Sequence, residues 1–237
     1  MSFALPISMT LALVASFPSE PDVNSLYADI LKTHVKDGRV DYRGLAANDL
    51  DKLDRYIEGV GTAVLPKNRN RRIGFLIDAY NALVLRSVIQ HQRPRSVLDV
   101  KDFFKAKVHK VAGQTVSLDQ LEKKVLNPYA KDPRTHFVLV CAAVGCPILE
   151  SKPFLGDNVN RRMGAATRRY LSGPTGARAS GGSIAVSKIF DWYAKDFGGK
   201  AGVKSFVLKH LSAQDRKKVG NDPTLGFLDY NWTLNQQ

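Results

Sequence analysis

The stretch from Ile73 to His91 sets the terms for the whole chain. It reads as one helix, yet it is apolar nearly all round, with Asp78 and Arg86 its only ionised side chains. A helix without a polar face has no side to give to water, so it must run through the middle of the molecule. Any polar group on it is buried with it and needs a hydrogen-bond partner there. Asp78, Tyr80 and Asn81 are such groups. They either satisfy neighbouring structure or line a pocket.

Shorter elements can be placed around this helix. Ser25 to Val35 carries Leu26, Ile30 and Leu31 at helical spacing, and Asp49 to Val60 repeats Leu50, Leu53, Ile57 and Val60. Between them Lys36 to Arg39 is a turn, followed by an extended Val40 to Tyr42. Pro66 to Arg72 reads as a basic loop. Lys107 to Ser117 alternates around Ala112-Gly113-Gln114 and reads as a hairpin. Ser117 and Gln120 form a capping box for a helix to Leu126. A helix over Asp157 to Leu171 precedes a Gly/Ser-rich loop, Gly173 to Gly182, and a short strand, Ile184 to Val186. Ser187 caps a helix over Lys188 to Phe197, stopped by Gly198-Gly199. Ala201 to Leu211 is another amphipathic helix. The tail, Leu225 to Leu234, alternates as a strand, with Phe227, Asp229 and Asn231 opposite Leu228, Tyr230 and Trp232. Helices outnumber strands and do not alternate with them. This predicts an α+β fold, a single globular domain over 22–237 with several helices around a small, mainly antiparallel sheet.

The chain has 237 residues, enough for one sizeable core. Its net charge of +13 favours anionic partners. No nucleic-acid reader motif or aromatic stacking cluster is visible, which sets nucleic acid aside. An anionic surface or a glycan is then the partner class to test, against a solvated basic face with no single partner. Residues 1–19 hold no charged side chain. They fit the apolar region of a signal peptide, although a basic leader is missing. The expected location is periplasmic or secreted. No later segment reads as a membrane span.

Both cysteines fall in one phrase, His136-Phe-Val-Leu-Val-Cys141-Ala-Ala-Val-Gly-Cys146-Pro147. Phe137 to Cys141 reads as a buried strand, and Cys146-Pro147 as a helix start, because Pro is favoured at the first helical position. A cysteine at a helix N-terminus can be acidified into a thiolate. Cys146 is then a candidate nucleophile for acyl transfer, His136 a candidate base, and Glu122 or Asp229 the group that orients it. Tyr80, Asn81, Cys141, Lys123 and Asp229 are the candidate substrate contacts. The other reading is a non-catalytic basic module with a Cys141–Cys146 disulfide stiffening the loop. There is no C-x-x-C pair and no H-E-x-x-H, and Cys141, Cys146 and His136 lack an evident fourth ligand, so neither metal nor cofactor is expected.

Six ordered phrases also resemble a known family. They are Phe75 to Leu83, Ser117 to Glu122, Asp132 to Phe137, Cys141 to Pro147, Ile189 to Tyr193, and Asp229 to Trp232 with Leu234-Asn235. Together, over roughly Asp41 to Asn235, they resemble the domain-of-unknown-function family 547 in its bacterial form. The resemblance implies a shared fold and names no reaction. Two departures stand out. Lys123 follows Glu122 where the family pattern has histidine, and Leu76 and Asp78 replace the Trp and Asn of its Phe-Trp-Ile-Asn phrase. If that histidine is the base in relatives, this chain is inactive or uses another base.

The reading of residues 1–19 predicts their absence from the mature chain. N-terminal sequencing of protein from its native compartment should begin beyond Ala15; an intact Met1 or Ser2 would exclude export by this route.

Overall fold

In the computed structural model, which describes residues 22–154, 156 and 158–237, the apolar stretch forms the axis of the larger of two cores. The expected signal region, residues 1–19, lies outside the described residues. The axial helix, α4 (Arg69–Gln90), starts four residues earlier than its apolar pattern. Asn68 caps it by accepting from Arg71 N (3.1 Å), which draws the expected basic loop into the first turn. Arg72 lies over the Tyr129 ring (4.4 Å), a contact that offsets the adverse placement of cations at a helix N-terminus. Among the described residues α4 is long and apolar enough to cross a membrane, contrary to the reading that no segment is. However, 78 % of its most apolar window is buried against the rest of the protein.

The N-terminal layer is α1 (Val23–His34), the pair β1 (Val35–Lys36) and β2 (Arg39–Val40), α2 (Tyr42–Asn48) and α3 (Leu50–Thr62). Asp22 and Asp41 cap α1 and α2. His34 Nε2 lies 2.7 Å from Asp49 Oδ2, tying the end of α1 to the start of α3. The hairpin β3 (His109–Val111) and β4 (Gln114–Val116) turns through Ala112 (φ 48°) and Gly113 (φ 78°), two left-handed residues that match the twist of a two-residue turn. Ala112 N and Gly113 N donate to Val60 O and Gly61 O and dock the hairpin on α3.

Ser117 and Gln120 form the expected capping box. The helix opens as α5 (Leu118–Gln120), widens into a π-helical stretch over Leu121–Leu126 and closes as α6 (Asn127–Ala130). Asn127 N donates to Glu122 O, five residues back.

A second core gathers Phe137, Tyr170, Leu171, Phe190, Phe197 and Val207 with their neighbours. It is built by the C-terminal half of α7 (Val159–Ser172), then β5 (Ala177–Ser180), β6 (Ser183–Val186), α8 (Ile189–Trp192), α9 (Gly199–His210), α10 (Ala213–Val219) and β7 (Thr224–Phe227). β6 pairs antiparallel with β5 and parallel with β7. The sheets are small and mainly antiparallel, and the fold is α+β.

Five local expectations need correction. Phe137 to Cys141 is not a strand: a 3-10 turn covers Pro133–Phe137 and irregular chain follows. Its polar backbone is met instead by the Asn81 side chain, whose Nδ2 donates to Val138 O (2.9 Å) and whose Oδ1 accepts from Val140 N (3.0 Å). No helix starts at Cys146-Pro147; the next begins at Val159. The Lys152 and Pro153 carbonyls accept from the Arg162 guanidinium, while Glu150 pairs with Arg162 and Arg169 (2.7 Å), which lays this segment across α7. The Gly173 to Gly182 loop contains β5. The helix after Ser187 breaks at Tyr193 into α8 and a 3-10 turn over Ala194–Phe197. The tail strand stops at Phe227, and residues beyond it pair with loops: Asn235 N with Ala142 O, Val144 N with Thr233 O, and Gly145 N with Asn231 O. Gly145 suits that approach, since a Cβ there would meet Asn231 N at 3.0 Å.

Asp78 is fully buried on α4, where its Oδ1 accepts from Phe154 N (2.9 Å). Burial pushes its carboxyl up to about 8, against the lowering effect of the Phe154 N–H and Arg162. An unfolded Asp ionises near ~4. Across the window from about pH 4 to about 8 the folded state therefore holds a proton that the unfolded state has lost, and stability falls as pH rises through it. Asp78→Asn keeps the acceptor for Phe154 N and removes the ionisation. Melting temperatures measured across that window should flatten in the variant; an unchanged slope would place the linkage elsewhere.

Candidate functional site

A cleft of about 210 Å³ opens where the two cores meet. Several separate parts of the chain form it. The helix after Ser117 supplies Asp119, Glu122 and Lys123; the segment after Thr135 supplies His136 and both cysteines; and Ile189, Trp192, Tyr193, Tyr230 and Trp232 come from α8 and the tail, with Tyr80 from α4 at the base. The π-helical widening falls at Glu122 and Lys123 themselves, a distortion frequent at functional sites.

The cysteine sulfurs lie at disulfide distance, with Cα atoms 6.1 Å apart. Cys141 N donates to Cys146 Sγ (2.7 Å), and Cys141 Sγ lies 3.1 Å from the Tyr230 hydroxyl. Cys146 is 6 % exposed, while Cys141 is partly open to the cleft. The tail pairing at Gly145 and the Tyr170 hydroxyl, which donates to Gly145 O (2.8 Å) and sits 2.8 Å from Ser187 Oγ, hold this loop against both cores. Without a helix N-terminus at Cys146, the dipole argument for a resting thiolate has no structural counterpart.

His136 is buried between two carboxylates. Its Nε2 lies 2.8 Å from Asp196 Oδ2 and its Nδ1 3.5 Å from Glu122 Oε1. Tyr193 packs on the ring, with centroids 4.0 Å apart. Burial and the Glu122 carboxylate, to which Tyr193 is hydrogen-bonded, hold the Tyr193 phenol far above its ordinary range. It is therefore a fixed donor. Lys123 is half exposed at the mouth and paired with Asp119 (3.0 Å).

The fold thus gathers Cys146, His136, Glu122, Tyr80, Cys141 and Lys123 in one cleft. Two other named residues do not line it. Asn81 sits behind, holding the backbone of the cysteine segment, and Asp229 is exposed outside the lining. Among the described residues no group of His, Cys, Asp or Glu could hold a metal ion.

The sequence reading missed an aromatic cluster. Trp192, Tyr230 and Trp232 form a triangle with ring centroids 4.7 to 5.5 Å apart, Trp192 being 48 % exposed. The alternation of the tail had already put Tyr230 and Trp232 on one face; nothing local connected them to Trp192.

Residues 66–171 match the model of a family described as a protein of unknown function, DUF547. The matched stretch runs from the approach to α4 through α7 and contains Tyr80, Glu122, His136 and both cysteines. It is narrower than the resemblance over Asp41 to Asn235, and the aromatic triangle lies beyond it. No curated protein and no solved structure matches the chain.

Tyr170→Phe tests the seam that shapes this cleft. Loss of the hydroxyl strands Gly145 O and should cost roughly 1–3 kcal/mol of stability. Chemical denaturation measures it; a neutral result would mean that the loop is held by the tail alone.

Proposed function

We propose that this protein, a bacterial and exported member of its family, is a non-catalytic binding module whose cleft receives the ring of a glycan unit. The aromatic triangle beside a polar cleft carries this reading. The apolar C–H faces of a sugar ring pack on aromatic surfaces, and its hydroxyls donate to a carboxylate at the mouth such as Asp119. The net charge of +13 steers anionic glycans toward the protein at low salt. Joined cysteines suit an oxidising compartment, and in that state Cys146 offers no nucleophile.

Only two tryptophans occur in the chain, and both line the cleft, so fluorescence excited selectively at tryptophan reports on this site. Titration with neutral and acidic oligosaccharides should give a saturable emission change. Trp192→Ala, at an exposed position, should weaken binding on the order of tenfold, as expected for a stacking anchor. An emission unaffected by every saccharide would remove the reading.

One observation supports acyl transfer as a second reading. Cys146 Sγ borders the same cleft as His136, and the Cys141 N–H beside it would hold a thiolate. Such activity needs the reduced form. It would appear as reductant-dependent thioester cleavage, abolished by Cys146→Ala and raised by Lys123→His if a base is missing at that position.

A further inference from the structure

We infer that Cys141–Cys146 is a redox-active pair that undergoes thiol–disulfide exchange with a small thiol entering the cleft. The inference rests on the joined cysteines of the reading above and is independent of the saccharide.

The placement of the two sulfurs carries it. A bond that only staples a loop does best shielded from other thiols. This one forms part of a cleft wall, and its two ends differ in access: Cys141 is partly open to the cleft, whereas Cys146 is buried. Exchange requires one sulfur open to attack and another able to leave as a thiolate. Both roles are provided for. An incoming thiolate reaches Cys141 Sγ from the cleft. The bond between that thiolate and Cys141 Sγ forms as the Cys141–Cys146 bond breaks, and the electron pair departs on Cys146 Sγ. The Cys141 N–H, 2.7 Å away, already points at that sulfur. A charge-assisted hydrogen bond to the nascent thiolate is stronger than the same bond to a neutral disulfide.

The second half follows in kind. A second thiolate attacks the incoming group's sulfur in the mixed disulfide, and the electron pair leaves on Cys141 Sγ. Here the donor is the Tyr230 hydroxyl, 3.1 Å away. Burial holds the Tyr230 phenol well above its ordinary value, so it keeps its proton. The two protons given up by the small thiols end on Cys141 and Cys146. In sum the protein disulfide gains two electrons and two small thiols are oxidised to their disulfide. Oxidised small thiol drives the same steps backward.

The test uses the intact protein in buffers of reduced and oxidised glutathione, quenched with acid, alkylated and weighed. The Cys141–Cys146 bond should open without denaturant and close again when oxidised glutathione is added. Cys146→Ser should collect a glutathione adduct on Cys141. Cys141→Ser should label at Cys146 more slowly, on the order of tenfold, because that sulfur is buried. Tyr230→Phe should release Cys141 from the mixed disulfide more slowly, since the departing thiolate loses its donor. The inference is overturned if the bond opens only in denaturant, or if the two single-cysteine variants label at equal rates. Failure of exchange with saccharide binding intact would remove this inference alone.

Discussion

The cleft depends on one side-chain amide. Asn81 stands on the most buried face of α4 and presents a donor to Val138 O and an acceptor to Val140 N. Those are the two groups that a neighbouring strand would have satisfied. A buried backbone amide left unpaired costs more than a typical hydrogen bond returns, so the segment has no cheaper alternative position. By fixing Val138 and Val140, Asn81 fixes what flanks them. His136 is turned toward Glu122 and Asp196, and Cys141 toward Cys146 and Tyr230. The helix that sequence logic makes central thereby also sets the register of the site.

Where the signal was local, the sequence was readable. The all-round apolarity of Ile73 to His91 placed the core helix; Ser117 with Gln120 marked a helix start; Ala112-Gly113 marked a hairpin. Each depends on residues within a few positions of one another. Where a partner came from afar, reading failed. Phe137 to Cys141 has the composition of a strand, but its backbone is met by the Asn81 side chain from α4, by Thr135 O and by Cys146 Sγ. Pro147 has the propensity of a first helical residue, but Arg162 and Arg169 draw the carbonyls and carboxylate after it onto α7. The candidate site divides in the same way. Its cysteines, His136 and Glu122 were visible as chemistry-bearing types close in sequence. The triangle of Trp192, Tyr230 and Trp232 exists only because α8 and the tail meet at the seam between two cores.

That seam also explains why the polar groups of the cleft are so fully paired. His136, Glu122 and Tyr193 lie where aromatic and aliphatic surfaces close over them, and each is bonded to another member of the set or to Asp196. A half-satisfied network in such a place would favour water entry and local opening. The paired one keeps the walls rigid, and leaves the rings at the mouth and the partly open Cys141 as the surfaces a ligand meets first.

The tail has a consequence for the life of the chain before it is folded. Asn235 accepts from Tyr42, bonds Val40 and Ala142, and brings the last residues beside both the first hairpin and the cysteine loop. Contacts spanning nearly two hundred residues are among the slowest to form, because loop closure must precede any gain from packing. Until residues 230–235 return to the first hairpin and the cysteine loop, the cleft lacks one of its walls. The site therefore cannot be assembled from its earlier segments alone; its completion waits on the slowest of its contacts.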